Sequence, residues 1–171
     1  AAHLPKSPGK RAFVMANRMG KAATLENLYQ ITVTELRQRF ECDRALIYRF
    51  DAPATGHVIA ESIAAGYTPT LGETLEPIAF GAGGPKAYQT QAAVSLADAS
   101  KEAVSPHQMQ LLQRFQVQAS LSLPVYLEGQ PWGLLVVQQC ANTRSWKDLD
   151  TALLYQVATE LALKLQDYEL Q

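Results

Sequence analysis

The sequence predicts an α+β domain, a central antiparallel sheet with its helices segregated from it, on three observations. An amphipathic helical stripe opens the patterned part of the chain, two pairs of strand-like runs bracket a loop-rich middle, and a second long helical stripe closes it. At 171 residues and 47% hydrophobic, the chain is long enough for one domain with a sizeable core.

Residues 1–23 read as a basic arm or linker helix. They carry Lys6, Lys10, Arg11, Arg18 and Lys21 with no acid before Glu26, and Gly20 weakens any helix begun there. Residues 24–171 read as the single domain. Thr24 is suited to cap a fresh helix with Glu26 in its first turn, and Leu25, Leu28, Thr32, Leu36 and Phe40 follow at three- and four-residue steps. Residues 45–50 then form a short β-prone run stopped by Asp51-Ala52-Pro53, and 56–63 offer a second, so a hairpin is expected.

Residues 64–92 hold so many glycines and prolines, from Gly66 to Pro85, that only short elements fit. Order resumes with a strand over 93–96 and a helix capped by Ser105 with Pro106 at its first position, where the missing N–H costs nothing. Runs 119–127 and 132–140 are expected to pair across Glu128-Gly129-Gln130-Pro131. From about residue 145, Leu149, Leu153, Val157, Leu161 and Leu165 recur every four residues, one face of a long helix. The two terminal helices are expected on one face of the sheet, with loops and short helices covering a pocket on the other.

Composition narrows the function. A formal charge of −1 gives no general attraction for nucleic acid or an acidic membrane surface, so neither is an expected partner. No apolar run approaches the roughly 20 residues of a membrane span, which points to a cytoplasmic domain, including the cytoplasmic part of an anchored receptor. Two cysteines, Cys42 and Cys140, and three scattered histidines form neither a closed Cys/His zinc site nor a nucleophile triad, and no metal is expected. Gly81-Ala82-Gly83-Gly84 lacks the lysine of a phosphate-binding loop. An enzyme is therefore not expected. Tyr48, Tyr67, Phe80 and Tyr88 are the aromatics available to line a flat ligand's site or to pack the core.

Two blocks are more specific. Cys42-Asp43-Arg44-Ala45-Leu46-Ile47-Tyr48-Arg49-Phe50-Asp51 with Gly56-His57-Val58-Ile59-Ala60-Glu61-Ser62, and Gln113-Arg114-Phe115-Gln116-Val117-Gln118-Ala119 through Leu123-Pro124-Val125 with Gly129-Gln130-Pro131-Trp132-Gly133-Leu134-Leu135, resemble GAF domains of the cyanobacteriochrome and phytochrome type. The likeness covers about residues 25–165, and residues 25–40 are similar to the helix preceding such domains in cyanobacterial phototaxis chemoreceptors and sensor kinases. The resemblance implies a bilin between sheet and middle loops, joined by a thioether to the Cys of a "SPCH" stretch. Here that stretch reads Ser105-Pro106-His107-Gln108, with His107 in the cysteine position and Gln108 in the histidine position. A second family signature, "TIxDxCF", corresponds to Thr74-Leu75-Glu76-Pro77-Ile78-Ala79-Phe80, where Pro77 stands for the Asp and Ala79 for the Cys.

No covalent bilin is expected, because an imidazole cannot form the thioether and Gln cannot titrate beside the pyrrole nitrogens. The candidate pocket residues are Glu76, Phe80, Tyr88, His107 and Gln108. The expected function is a regulatory, non-enzymatic module that forms a homodimer through its terminal helices and passes signals to adjacent signalling domains of the same chain. The alternative is a sensor that holds a bilin or another small planar ligand without a covalent bond.

Overall fold

A computed structural model describes residues 8–52, 54–81 and 92–170, with side chains between residues 24 and 168. Among these, six strands form one antiparallel sheet: β1 (Arg44–Ala52), β2 (Thr55–Ile63), β3 (Thr74–Leu75), β4 (Val94–Leu96), β5 (Ala119–Leu127) and β6 (Gln130–Gln139). Their order across the sheet is β3-β2-β1-β6-β5-β4, which sets the first and last hairpins side by side. Four α-helices accompany them: α1 (Pro8–Phe40), α2 (Ala99–Glu102), α3 (Pro106–Arg114) and α4 (Asp148–Leu170). A 3-10 turn spans Pro77–Phe80.

The expected α+β architecture is present, with four departures in detail. Helix α1 does not begin at Thr24 but runs unbroken from Pro8 through Gly20, since one glycine costs only about 1 kcal/mol in a helix rich in alanine and methionine. Helix α2, too short to show a period, was not foreseen; Asp98 caps it by accepting from Ser100 N at 3.1 Å. The last hairpin is tighter than expected. Leu127 pairs with Gln130 across the two-residue turn Glu128-Gly129, whose φ of 52° and 77° suit the right-handed strand twist, and Pro131 already lies in β6. Helix α4 starts at Asp148, and Leu149 is 82% exposed, because a four-residue step drifts around a helix of 3.6 residues per turn.

Period-2 alternation divides the sheet into two faces. Ala45 and Ile47 of β1, with Leu121, Leu123 and Val125 of β5, meet Val33 and Leu36 of α1 and Leu154, Val157 and Leu161 of α4 in one apolar cluster. Leu46 and Tyr48, with Leu134 and Val136 of β6, turn to the other side and meet Leu75, Phe80, Leu96, Leu112 and Phe115. Trp132 and Trp146 pack at the edge of the helix-side cluster.

Candidate functional site

The loop side of the sheet holds the stretches singled out in the sequence. Ser105 caps α3 as expected: its Oγ accepts from Gln108 N at 3.1 Å, and Pro106 occupies the first turn. That cap turns Gln108 inward, where it is fully buried. Its Oε1 accepts from Val104 N at 2.7 Å, and its Nε2 donates to Ile78 O at 3.0 Å and Gly81 O at 2.8 Å. Both amide hydrogens and the amide oxygen are thus engaged in tying α3 to the 3-10 turn.

Phe80 ends that turn and is buried, its ring edge-on to Tyr48 at 4.9 Å between centroids. Its carbonyl accepts from Ser120 Oγ and Ser122 Oγ of β5 at 3.4 and 3.5 Å. Tyr48, fully buried, donates its hydroxyl to Leu75 O. Tyr67 is half-buried in the loop after β2.

The remaining candidates do not converge with these. Glu76 and His107 face solvent, their side chains 63% and 56% exposed, with His107 Nε2 3.7 Å from Glu76 Oε1. The five candidates therefore separate into a buried pair, Phe80 and Gln108, and a surface pair, Glu76 and His107, while Tyr88 lies outside the described residues. His107 and Gln108 are the second and third residues of the helix that begins at Pro106, about 100° apart around its axis, so one faces solvent while the other turns into the core.

Sequence reasoning missed a second polar centre on the same face. Arg44 is 0% exposed. Its Nη1 donates to Gln138 Oε1 at 2.8 Å and Phe115 O at 3.1 Å, and its Nη2 to Thr68 O at 2.7 Å. Its Nε lies 3.3 Å from Oε2 of Glu61, whose side chain is 3% exposed; the contact is ionic rather than an aligned hydrogen bond. Glu61 also accepts from Thr70 N at 2.8 Å. The network runs on from Gln138 Nε2 to Ser120 Oγ at 3.4 Å and so to Phe80 O. Alternation was the available signal, since it places Arg44 on the face of Leu46 and Tyr48, and a buried cation there demands an acid.

One thiol borders this centre, with Cys140 Sγ accepting from Arg44 Nη1 at 3.6 Å. Cys42 and Cys140 are both buried and unpaired. Burial pushes the Cys42 thiol up to about 11, and burial likewise raises Cys140, although Arg44 beside it pulls the other way. Among the described residues no group of three His, Cys, Asp or Glu side chains converges on a metal-sized site, and no helix is long and apolar enough to cross a membrane.

A sequence model of the GAF domain matches residues 24–165. A protein of Synechocystis sp. assigned to the methyl-accepting chemotaxis proteins is 30% identical over 153 residues, which are 90% of this chain and 15% of that protein. The chain therefore spans less than a fifth of that relative's length. Among solved structures, the red light-absorbing state of NpR6012g4, a red/green cyanobacteriochrome, superposes with a TM-score of 0.74 at 30% identity, covering 85% of this chain and 96% of that one. The phycocyanobilin-bound GAF domain of a cyanobacterial phytochrome superposes with a TM-score of 0.75 at 20% identity, covering 97% of each chain, a likeness of fold.

Proposed function

The chain belongs to the GAF domain family, whose members are sensory and regulatory modules, and from that premise we propose that it is a non-enzymatic signalling module of a larger cyanobacterial receptor or kinase. It carries no thioether-linked bilin, pairs with a second copy through α1 and α4, and passes signals to adjacent domains of its own chain.

The observation that carries this reading is the outer surface of the two terminal helices. On α1, five of the exposed residues, Thr24, Asn27, Ile31, Thr34 and Gln38, recur at alternating steps of three and four as an uncharged stripe, with the charged Glu26, Glu35 and Arg39 exposed beside it. On α4, Leu149, Ala152, Gln156, Thr159, Leu163 and Gln166 do the same. A 3.5-residue repeat is the spacing at which helices of two chains pack along a common seam, and a seam without charge faces its own copy without repulsion. Two such ridges on one face of the sheet suit a four-helix bundle in which a small rotation repacks both chains together.

Absence of a covalent pigment is supported by chemistry: the chain's two thiols are buried and held protonated, and His107 and Gln108 occupy the stretch where the family's thiol would stand. Gln108 also spends its amide on the chain's own carbonyls. A second reading, a planar ligand held without a bond, draws on the phycocyanobilin-bound relative of the same fold.

Light scattering after size exclusion tests the first reading. The chain is expected to elute as a dimer, and Leu163→Glu or Ile31→Glu to elute as a folded monomer; a wild-type monomer at high concentration would overturn it. Coexpression with bilin synthesis separates the two readings, since protein whose colour is lost on denaturation establishes the second.

A further inference from the structure

Between β6 and α4, residues 140–147 bring three parts of the molecule to one side chain. Arg144 Nη1 donates to Phe40 O, the last carbonyl of α1, at 2.7 Å. Its Nη2 donates to Asp150 Oδ1 in the first turn of α4 at 3.2 Å, while Asp150 Oδ2 accepts from Lys147 N at 2.8 Å and so closes the start of that helix. The backbone N–H of Arg144 donates to Ala97 O, between β4 and α2, at 3.0 Å. Trp146 Nε1 donates to the neighbouring Leu96 O at 3.1 Å. The guanidinium lies against both rings, with its carbon 4.6 Å from the Trp146 centroid and 5.9 Å from that of Phe40.

We propose that Arg144 and Trp146 are a clasp that makes the β4–α2 cap on the loop side and the α1–α4 junction on the helix side move as one unit. On the loop side the cap is held by the pairing of β4 with β5 and by the burial of Leu96 and Ala99; its link to the helix side runs through this point. Residue 97 reaches the junction through Arg144, and α2 is held by its own Asp98 cap and by the Ala99 N to Gln118 O bond at 2.8 Å. Any shift of residues 96–98 pulls on the Arg144 backbone and on the Trp146 ring together. The guanidinium then cannot follow without releasing a helix-terminal carbonyl or the carboxylate that starts α4, because its planar fork sets separate N–H groups on the two partners in a fixed geometry that the single nitrogen of an ammonium does not reproduce. Arg144 is thus a positioning residue for the two helices whose outer faces were assigned above to signalling. The clasp concerns the folded monomer and stands or falls independently of dimerisation.

Hydrogen exchange of the whole chain, read by mass spectrometry, tests it as a double-mutant cycle. Asp98→Ala removes the α2 cap without touching Arg144. It is expected to speed exchange in residues 99–103 and, through the clasp, in residues 148–155 by about fivefold, the lower end of ordinary coupling between sites. In an Arg144→Gln background the same Asp98→Ala change is expected to act on 99–103 alone. Arg144→Lys, which keeps the charge and loses the fork, serves the same cycle if the glutamine variant does not fold. Exchange at 148–155 that ignores Asp98→Ala, that responds equally with and without Arg144, or that rises evenly with the β1 and β6 amides would overturn the clasp.

Discussion

The two faces of the sheet are held by different physics. On the helix side, Leu36, Ile47, Leu135 and Leu161 belong to one continuous apolar cluster, and the buried Thr32 bonds its own helix through Leu28 O at 2.8 Å. On the loop side, a smaller apolar cluster is stitched by Arg44, Glu61, Gln108, Gln138 and two serines. Apolar burial is non-directional and tolerates repacking, whereas a buried polar group needs its partner at one distance and angle. The helix side should therefore yield by degrees, and the loop side at single residues.

The sharpest break falls on the ion pair. Arg44→Leu leaves the Glu61 carboxylate buried without its cation, and a loss of about 4 kcal/mol is expected in urea unfolding. Leu161→Ala, from the middle of the helix-side cluster, is expected to cost about 3 kcal/mol by transfer and cavity terms. If Arg44→Leu with Glu61→Leu recovers most of the first loss while Leu161→Ala cannot be rescued by its neighbours, the contrast between directional and bulk burial holds; additive losses in the Arg44–Glu61 pair would abolish it.

Gln108→Ala sharpens the comparison on the loop side. Removing the amide leaves Ile78 O, Gly81 O and Val104 N without their partner, for an expected loss of about 2–3 kcal/mol. Gln108→Glu should cost at least as much, since a carboxylate cannot donate to two carbonyls. Equal stability of Gln108→Ala and wild type would mean that α3 and the 3-10 turn need no tie.

What could be read beforehand follows the same division. Stripes at helical and strand periods announced α1, the hairpins and α4, because apolar burial writes itself into local spacing. Cap chemistry announced the start of α3 to the residue, with Ser105 and Pro106 in their places. The roles of Gln108 and Arg44 were hidden, since all the partners of their side chains but Val104 lie 17 to 96 residues away and only the folded chain brings them together. His107 and Gln108 looked like one site on paper; a third of a helical turn put one in solvent and the other in the core. Leu149 misled for a related reason, as a strict four-residue step outruns the helix.

Alkaline titration probes the helix side through Cys42. Its thiol titrates near 9 when free and near 11 in the folded chain, so above pH 9 the unfolded state has lost a proton that the native state keeps. Stability is full below pH 9 and falls as pH rises toward 11, by about 1–2 kcal/mol between pH 9 and 10.5. Urea midpoints over this range should flatten in Cys42→Ala; an identical slope in both proteins would place the effect elsewhere.

The smallest effect lies at the seam between the faces, where α1 ends. Cys42 N donates to Arg37 O and Glu41 N to Gln38 O, both at 3.3 Å, the double bond pattern of a helix closed by a left-handed residue. Glu41 supplies that residue with φ of 50°, although a side chain disfavours the conformation and glycine does not. Glu41→Gly relieves the backbone and at the same time gives the unfolded chain more freedom, so the two effects nearly offset. A net gain of about 0.5 kcal/mol is expected, visible as a rise of a degree or two in Tm. Glu41→Val, β-branched and worse suited to positive φ, should fall below wild type, and the order Gly, Glu, Val tests the geometry even where the first difference is small. A reversed order would mean that the Glu41 side chain, exposed at the junction that Arg144 clasps, contributes more than its backbone costs.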